Sequence, residues 1–191
     1  MVEALLRDRL SRLGIGATVS SAGLISEDVP ASRRSVRAMA RRGLDIDAHR
    51  SALVTLQRVA EADLVLGLAR EHVREAVVLV PEGFSRTFTL REVVRRGEAV
   101  GPRRLVASVP DGPAHESPGV GQMEPLERWL ARVSMGRKTS DLLGPDAIDD
   151  VPDPMGMSQR TYERTAREIE DLVDRLVAVA FRPGPTRLPS L

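Results

Sequence analysis

The residue with the strongest claim to chemistry is Asp153, in Val151-Pro152-Asp153-Pro154. Its prolines put the carboxyl on a loop, and turn formation alone explains the residue types, since Asp and Pro are both common in turns. Asp149 and Asp150 stand just before it and read as a solvated acidic run. His49 has three readings: a ligand, a base, or a structural hydrogen-bonder near the turn after Asp45. The structural reading is preferred, and no metal site is expected, because His72 and His115 lie far off in sequence and no carboxylate pair completes a metal spacing. Ser20 and Ser21 are hydroxyls at the end of a β-leaning run. The chain has no cysteine, which removes disulfides, thiolate zinc sites and every cysteine nucleophile from these residues. Arg33, Arg34, Arg37, Arg41 and Arg42 form a basic cluster that reads first as a solvated helix face and second as an attractor of an acidic phosphoprotein. Gly119-Val120-Gly121 is not a phosphate loop, since no clear strand precedes it and no Lys-Ser or Lys-Thr follows.

The elements that must position these residues follow from periodicity. Val2, Leu5, Leu6, Leu10 and Leu13 recur at helical spacing, with no N-cap in front and Gly14 behind. Thr18–Ala22 predicts a short strand. Pro30 and Ser32 precede a second helix through Val36, Met39 and Ala40, and Leu56, Val59 and Ala60 a third. The apolar run from Ala62 to Ala69 predicts a buried strand. A helix through Val73, Val77 and Val78 follows, then a strand over Phe84–Phe88 and a helix over Leu90–Arg96. Residues 97–148 change character and read as an inserted or elaborated segment. It contains a Pro- and Gly-rich loop, Gly112–Gly121, and one helix through Leu126, Leu130 and Val133 whose Trp129 anchors packing. The clearest helix carries Tyr162, Ala166, Ile169, Leu172, Val173, Leu176, Val177 and Ala180 on one face, with Ser158 as its N-cap. Residues 1–181 are expected to form one domain, and 182–191 a disordered tail. Strands alternating with helices predict an α/β fold with a parallel sheet.

Composition narrows the function classes. In 191 residues, 42% are hydrophobic and 29% charged, as in a globular domain. A formal net charge of +1 gives no long-range attraction to nucleic acid or to an acidic membrane, and 3% aromatics leave little for base stacking. No stretch approaches the ~20 apolar residues of a membrane span, and Arg7, Asp8, Arg9 and Arg12 interrupt any apolar leader region, so a cytoplasmic location is expected.

Six segments, in order, resemble the low-molecular-weight protein-tyrosine phosphatases. They are Met1-Val2-Glu3-Ala4-Leu5-Leu6; Val19-Ser20-Ser21-Ala22-Gly23; Gly43-Leu44-Asp45 with His49-Arg50-Ser51; Ala62-Asp63-Leu64-Val65-Leu66; Arg86-Thr87-Phe88-Thr89-Leu90; and Val151-Pro152-Asp153-Pro154-Met155-Gly156. The match covers roughly residues 1–96 and 149–181. The resemblance implies a three-layer α/β/α fold around a small parallel sheet. It also implies hydrolysis of phosphotyrosine proteins or small aryl phosphates, without a cofactor. In that family a Cys-x5-Arg loop cradles the phosphate at a helix start, the thiolate attacks phosphorus, and an aspartic acid protonates the leaving phenolate. By this resemblance Asp153 is the general acid. Ser20 and Ser21 border the phosphate loop, and Met155 stands where an aromatic usually flanks the substrate ring.

The departure is the missing nucleophile. In the family the phosphate loop and the first, central strand precede the residue that matches Met1. The chain as written is therefore expected to be inactive and to lack that strand. One expectation is that the natural protein extends upstream with an intact loop; the other is a truly truncated member that is degenerate or depends on a partner's strand. Rival readings are a non-catalytic phosphoprotein-binding or regulatory pseudophosphatase, and an arsenate reductase-like relative, against which the absence of cysteine counts.

Overall fold

The structure is a computed structural model that describes residues 1–106, 122–143 and 148–182. Helix α1 (Val2–Arg12) turns Leu5, Leu6 and Leu10 inward. Helix α2 (Arg33–Ala40) is capped by Ser32, whose hydroxyl accepts the Ser35 amide at 3.2 Å. It buries Ala38 and Met39. A short α3 (Leu56–Glu61), capped by Thr55, leads into strand β1 (Val65–Gly67). Helix α4 (Arg70–Leu79) then crosses to β2 (Thr87–Thr89), which pairs with β1 in parallel, Val65 opposite Thr87 and Gly67 opposite Thr89. A parallel pair needs such a crossover, because a tight hairpin would reverse the chain.

Helix α5 (Leu90–Val100) starts at once after β2, its first turn closed by the Thr89 hydroxyl accepting the Glu92 amide. A two-residue antiparallel pair, β3 (Leu105–Val106) with β4 (Gln122–Met123), precedes α6 (Leu126–Ser134). The long α7 (Gln159–Ala180) begins at Ser158, whose hydroxyl accepts the Thr161 amide at 3.3 Å. Its apolar stripe meets α1, α2 and α5 in one core that also holds Phe88, Trp129 and Val151. The arrangement is α/β, a small parallel sheet packed by helices, as expected.

Three expectations about elements change. Residues Thr18–Ala22 form no ladder; the nearest pairing is a bridge between Gly23 and Leu53. Only Val19 of that run is half-buried, so among the described residues nothing holds its backbone in a sheet. The first three residues of the strand predicted over Phe84–Phe88 belong instead to a tight 3-10 turn, Pro81–Arg86. Proline is preorganised to open such a turn, and the Thr87 hydroxyl closes it by donating to the Gly83 carbonyl at 2.8 Å. The helix predicted to end at Arg96 runs through Gly97 to Val100. Gly97 belongs there because a Cβ would lie 2.8 Å from Trp129 Cζ2, so the bare backbone lets α6 approach α5. The loop predicted over Gly112–Gly121, His115, and all but the first residue of the predicted tail lie outside the described residues.

Candidate active site

The loop carrying Asp153 is fastened at the C-terminal end of β1. Val151 is buried, and its amide donates to the Leu68 carbonyl at 2.7 Å. The two acids before it are also fixed, contrary to the solvated run expected from sequence. Asp150 Oδ1 accepts the amide of Arg70, the first residue of α4, at 2.8 Å. A carboxylate there meets free N–H groups and the positive end of the helix dipole. Asp149 takes two hydrogen bonds from Arg95, at 2.8 and 3.2 Å, and this bonding raises the Arg95 pKa above the ordinary arginine value. The same turn is held by His72, whose Nδ1 accepts the amides of Leu68 and Ala69, each at 3.2 Å. Gly67 makes room for this approach, since a Cβ would stand 3.0 Å from His72 Cβ.

Asp153 itself is exposed, and its Oδ1 accepts the Met155 amide at 2.9 Å. This is the turn chemistry that its sequence suggested. Among the described residues Oδ2 has no partner, so one carboxylate oxygen is tethered and the other faces solvent. Met155 and Met157 are exposed on the same turn, at 76% and 52%.

A second feature is a cleft of about 480 Å³ at the start of α1, lined by Glu3, Arg7, Ser35, Asp45 and His49 among others. Ser21 and Arg7 both donate to the Glu3 carboxylate, and Arg7 also donates to the Val19 carbonyl at 2.9 Å. Burial pushes the Glu3 pKa up, but the bonds from Ser21 and Arg7 and the nearby His49 outweigh it, leaving Glu3 below the ordinary glutamate value. His49 Nδ1 stands 3.7 Å from Glu3, and the His49 amide donates to the Ile46 carbonyl, in keeping with a structural role.

The structure therefore brings Asp153 and Met155 into one turn, and Ser21 to the edge of the α1 cleft through Glu3. It does not join these two groups, because neither Asp153 nor Met155 lines the cleft; Ser20 is exposed beside Ser21. No group of three or more His, Asp or Glu residues suited to a metal ion occurs among the described residues. No helix among them is long and apolar enough to cross a membrane.

Sequence reasoning missed Arg137. Its side chain is 1% exposed and lies against the rings of Phe84 and Phe88, with its guanidinium carbon 4.2 and 4.1 Å from their centres. It donates to the Phe84 and Thr87 carbonyls and to Glu92, binding the segment after α6 to the base of β2. Nothing in Met-Gly-Arg-Lys marks such a residue as buried. His72 was more accessible to foresight, as a polar residue in the first turn of a predicted helix.

A model of the low molecular weight phosphotyrosine protein phosphatase family matches residues 1–100, just over half of the chain. The chain belongs to that family. A probable low molecular weight protein-tyrosine-phosphatase, EpsP of Ralstonia solanacearum, is 35% identical over 94 residues, which are 49% of this chain and 62% of that relative. The chain thus spans less than two thirds of that relative's length. Among solved structures, a low molecular weight protein tyrosine phosphatase from T. tengcongensis superposes with a TM-score of 0.62 at 25% identity, covering 93% of this chain and 87% of that one. The YwlE arginine phosphatase from Geobacillus stearothermophilus gives a TM-score of 0.59 at 24% identity, covering 93% and 80%, a likeness in fold alone.

Proposed function

We propose that these residues carry the proton-donating half of a phosphate monoester hydrolase of this family, with Asp153 as the general acid. In such a reaction the leaving phenolate oxygen takes a proton as its bond to phosphorus breaks. A carboxylic acid held on a loop supplies that proton, then serves as base toward the water that completes hydrolysis. The observation that carries the reading is the Val151–Leu68 backbone bond, because ligands in parallel α/β sheets bind beyond the carboxyl ends of the strands. Ser20 and Ser21 are assigned to the phosphate side, and Met155, soft and unbranched, to the face of the substrate. The substrate class is a phosphotyrosine protein or a small aryl phosphate.

The nucleophile is the other half. The family's thiolate mechanism needs a cysteine, and these 191 residues contain none. The purified 191-residue chain should therefore release no p-nitrophenol from p-nitrophenyl phosphate above a protein-free blank. Turnover that is lost in Asp153→Ala would overturn the proposed inactivity.

A further inference from the structure

The starts of α2 and α7 abut: the Gln159 side-chain amide donates to the Arg34 carbonyl at 3.3 Å, and Ser32 bonds the Tyr162 hydroxyl. Around this junction Arg33, Arg34 and Arg37 of α2 and Arg160 and Arg164 of α7 are all exposed. Arg41 and Arg42, next along, are tied to Glu163 and Glu170; among the described residues no carboxylate pairs with the other five. Neither helix has an acidic residue in its first turn, where a negative charge would favour the helix. Arg33, Arg34 and Arg160 stand in the first turns of the two helices, at the positive dipole ends, so folding gains nothing from these three charges. The whole chain is nearly neutral, at +1, so the patch is a local asymmetry and not general basicity.

We propose that this face docks a carboxylate-rich, extended segment of a partner polypeptide. Charge complementarity selects an acidic occupant. A membrane surface is disfavoured, because α2 turns Ala38 and Met39 into the core and keeps no apolar side for lipid. Ser35, between Arg34 and Arg37, lines the α1 cleft, so a segment bound here continues toward it. The proposal does not depend on the catalytic reading, and its probe carries no phosphate.

The test is fluorescence anisotropy of a labelled polyglutamate peptide titrated with the 191-residue chain at low and at physiological salt. Binding should weaken with salt. It should weaken at least about tenfold in Arg33→Glu/Arg34→Glu/Arg37→Glu, and less than about threefold in Arg58→Glu/Arg104→Glu/Arg128→Glu, which alters net charge equally at exposed sites elsewhere. Arg33→Glu/Arg34→Glu alone, both in the first turn of α2, should leave the melting temperature unchanged or raise it, whereas Arg37 lies in the last turn. If the reversed variant does not fold, Arg33→Gln/Arg34→Gln/Arg37→Gln against Arg58→Gln/Arg104→Gln/Arg128→Gln carries the same comparison. Equal losses in the two triple variants, or no binding by the unaltered chain, would overturn the proposal. So would capture by phosphatidylserine vesicles that depends on these arginines while the peptide stays free.

Discussion

Arg137 meets Glu92 inside the protein through two hydrogen bonds, Nε to Oε1 at 2.6 Å and Nη2 to Oε2 at 3.0 Å. Burial lowers the Arg137 pKa from the ordinary arginine value, with Glu92 opposing the shift. Removing one partner strands the other in a poorly solvated site. Arg137→Ala should therefore cost about 3–5 kcal/mol in urea unfolding. Glu92→Ala should do the same, because it leaves the Arg137 and Arg96 guanidiniums without their shared carboxylate. A loss below about 1 kcal/mol in both variants would mean that the pair is better hydrated than its burial indicates.

The α5–α6 contact makes a steric prediction. Gly97→Ala inserts a methyl group 2.8 Å from the Trp129 ring, so overpacking of about 1–3 kcal/mol should exceed the ~1 kcal/mol that alanine gains in a helix. Trp129→Leu should remove that clash, leaving only Val179 Cγ2, at 3.2 Å, to shift slightly. In that background Gly97→Ala should become neutral or stabilising, a sign change that a double-mutant cycle of thermal melts reads directly.

Glu3 links the α1 cleft to pH. Its folded-state pKa lies below the ordinary glutamate value of 4.5, so its stabilising effect is complete above that value and disappears as pH falls through the folded-state pKa. The difference in urea midpoint between the unaltered chain and Glu3→Gln should be constant at neutral pH and shrink once the pH drops below about 4.5. In Ser21→Ala the carboxylate loses a donor, and its NMR titration should move upward. A titration that stays in place would show that the Ser21 bond is not formed in solution.

Two measurements bear on catalysis. Calorimetry of a phosphotyrosine peptide with the 191-residue chain should show no heat, because the thiolate loop that holds phosphate in this family needs a cysteine absent from these residues. Micromolar binding would instead favour the pseudophosphatase reading. The intact mass and terminal peptides of the protein from its native cells will show whether these residues work joined to a Cys-x5-Arg loop.

Much of the fold was legible because helices announce themselves locally. The stripe on α7, the Ser158 cap and the three inward leucines of α1 depend on contacts one turn away, so spacing alone reveals them. The family could be recognised for a related reason, since six short segments kept their order even though each is weak singly. Asp153 could be named as a loop carboxyl, since the flanking prolines and its own turn bond to Met155 are local. What fastens that loop was not legible. The Val151–Leu68 bond, the Asp150 cap on α4 and the Arg95–Asp149 pair join residues far apart in sequence, and an acidic run reads the same whether free or bound. One predicted strand failed for the same reason: Thr18–Ala22 has strand-like residues, but a ladder needs a partner that the run itself cannot supply, whereas the runs that include β1 and part of β2 were read as strands. Sequence by itself determined most of the helices, the family resemblance and the lack of cysteine in these 191 residues. Only the tertiary structure decided which charges are held and which are left bare at the α2–α7 junction, because ion pairing is set by distance in space.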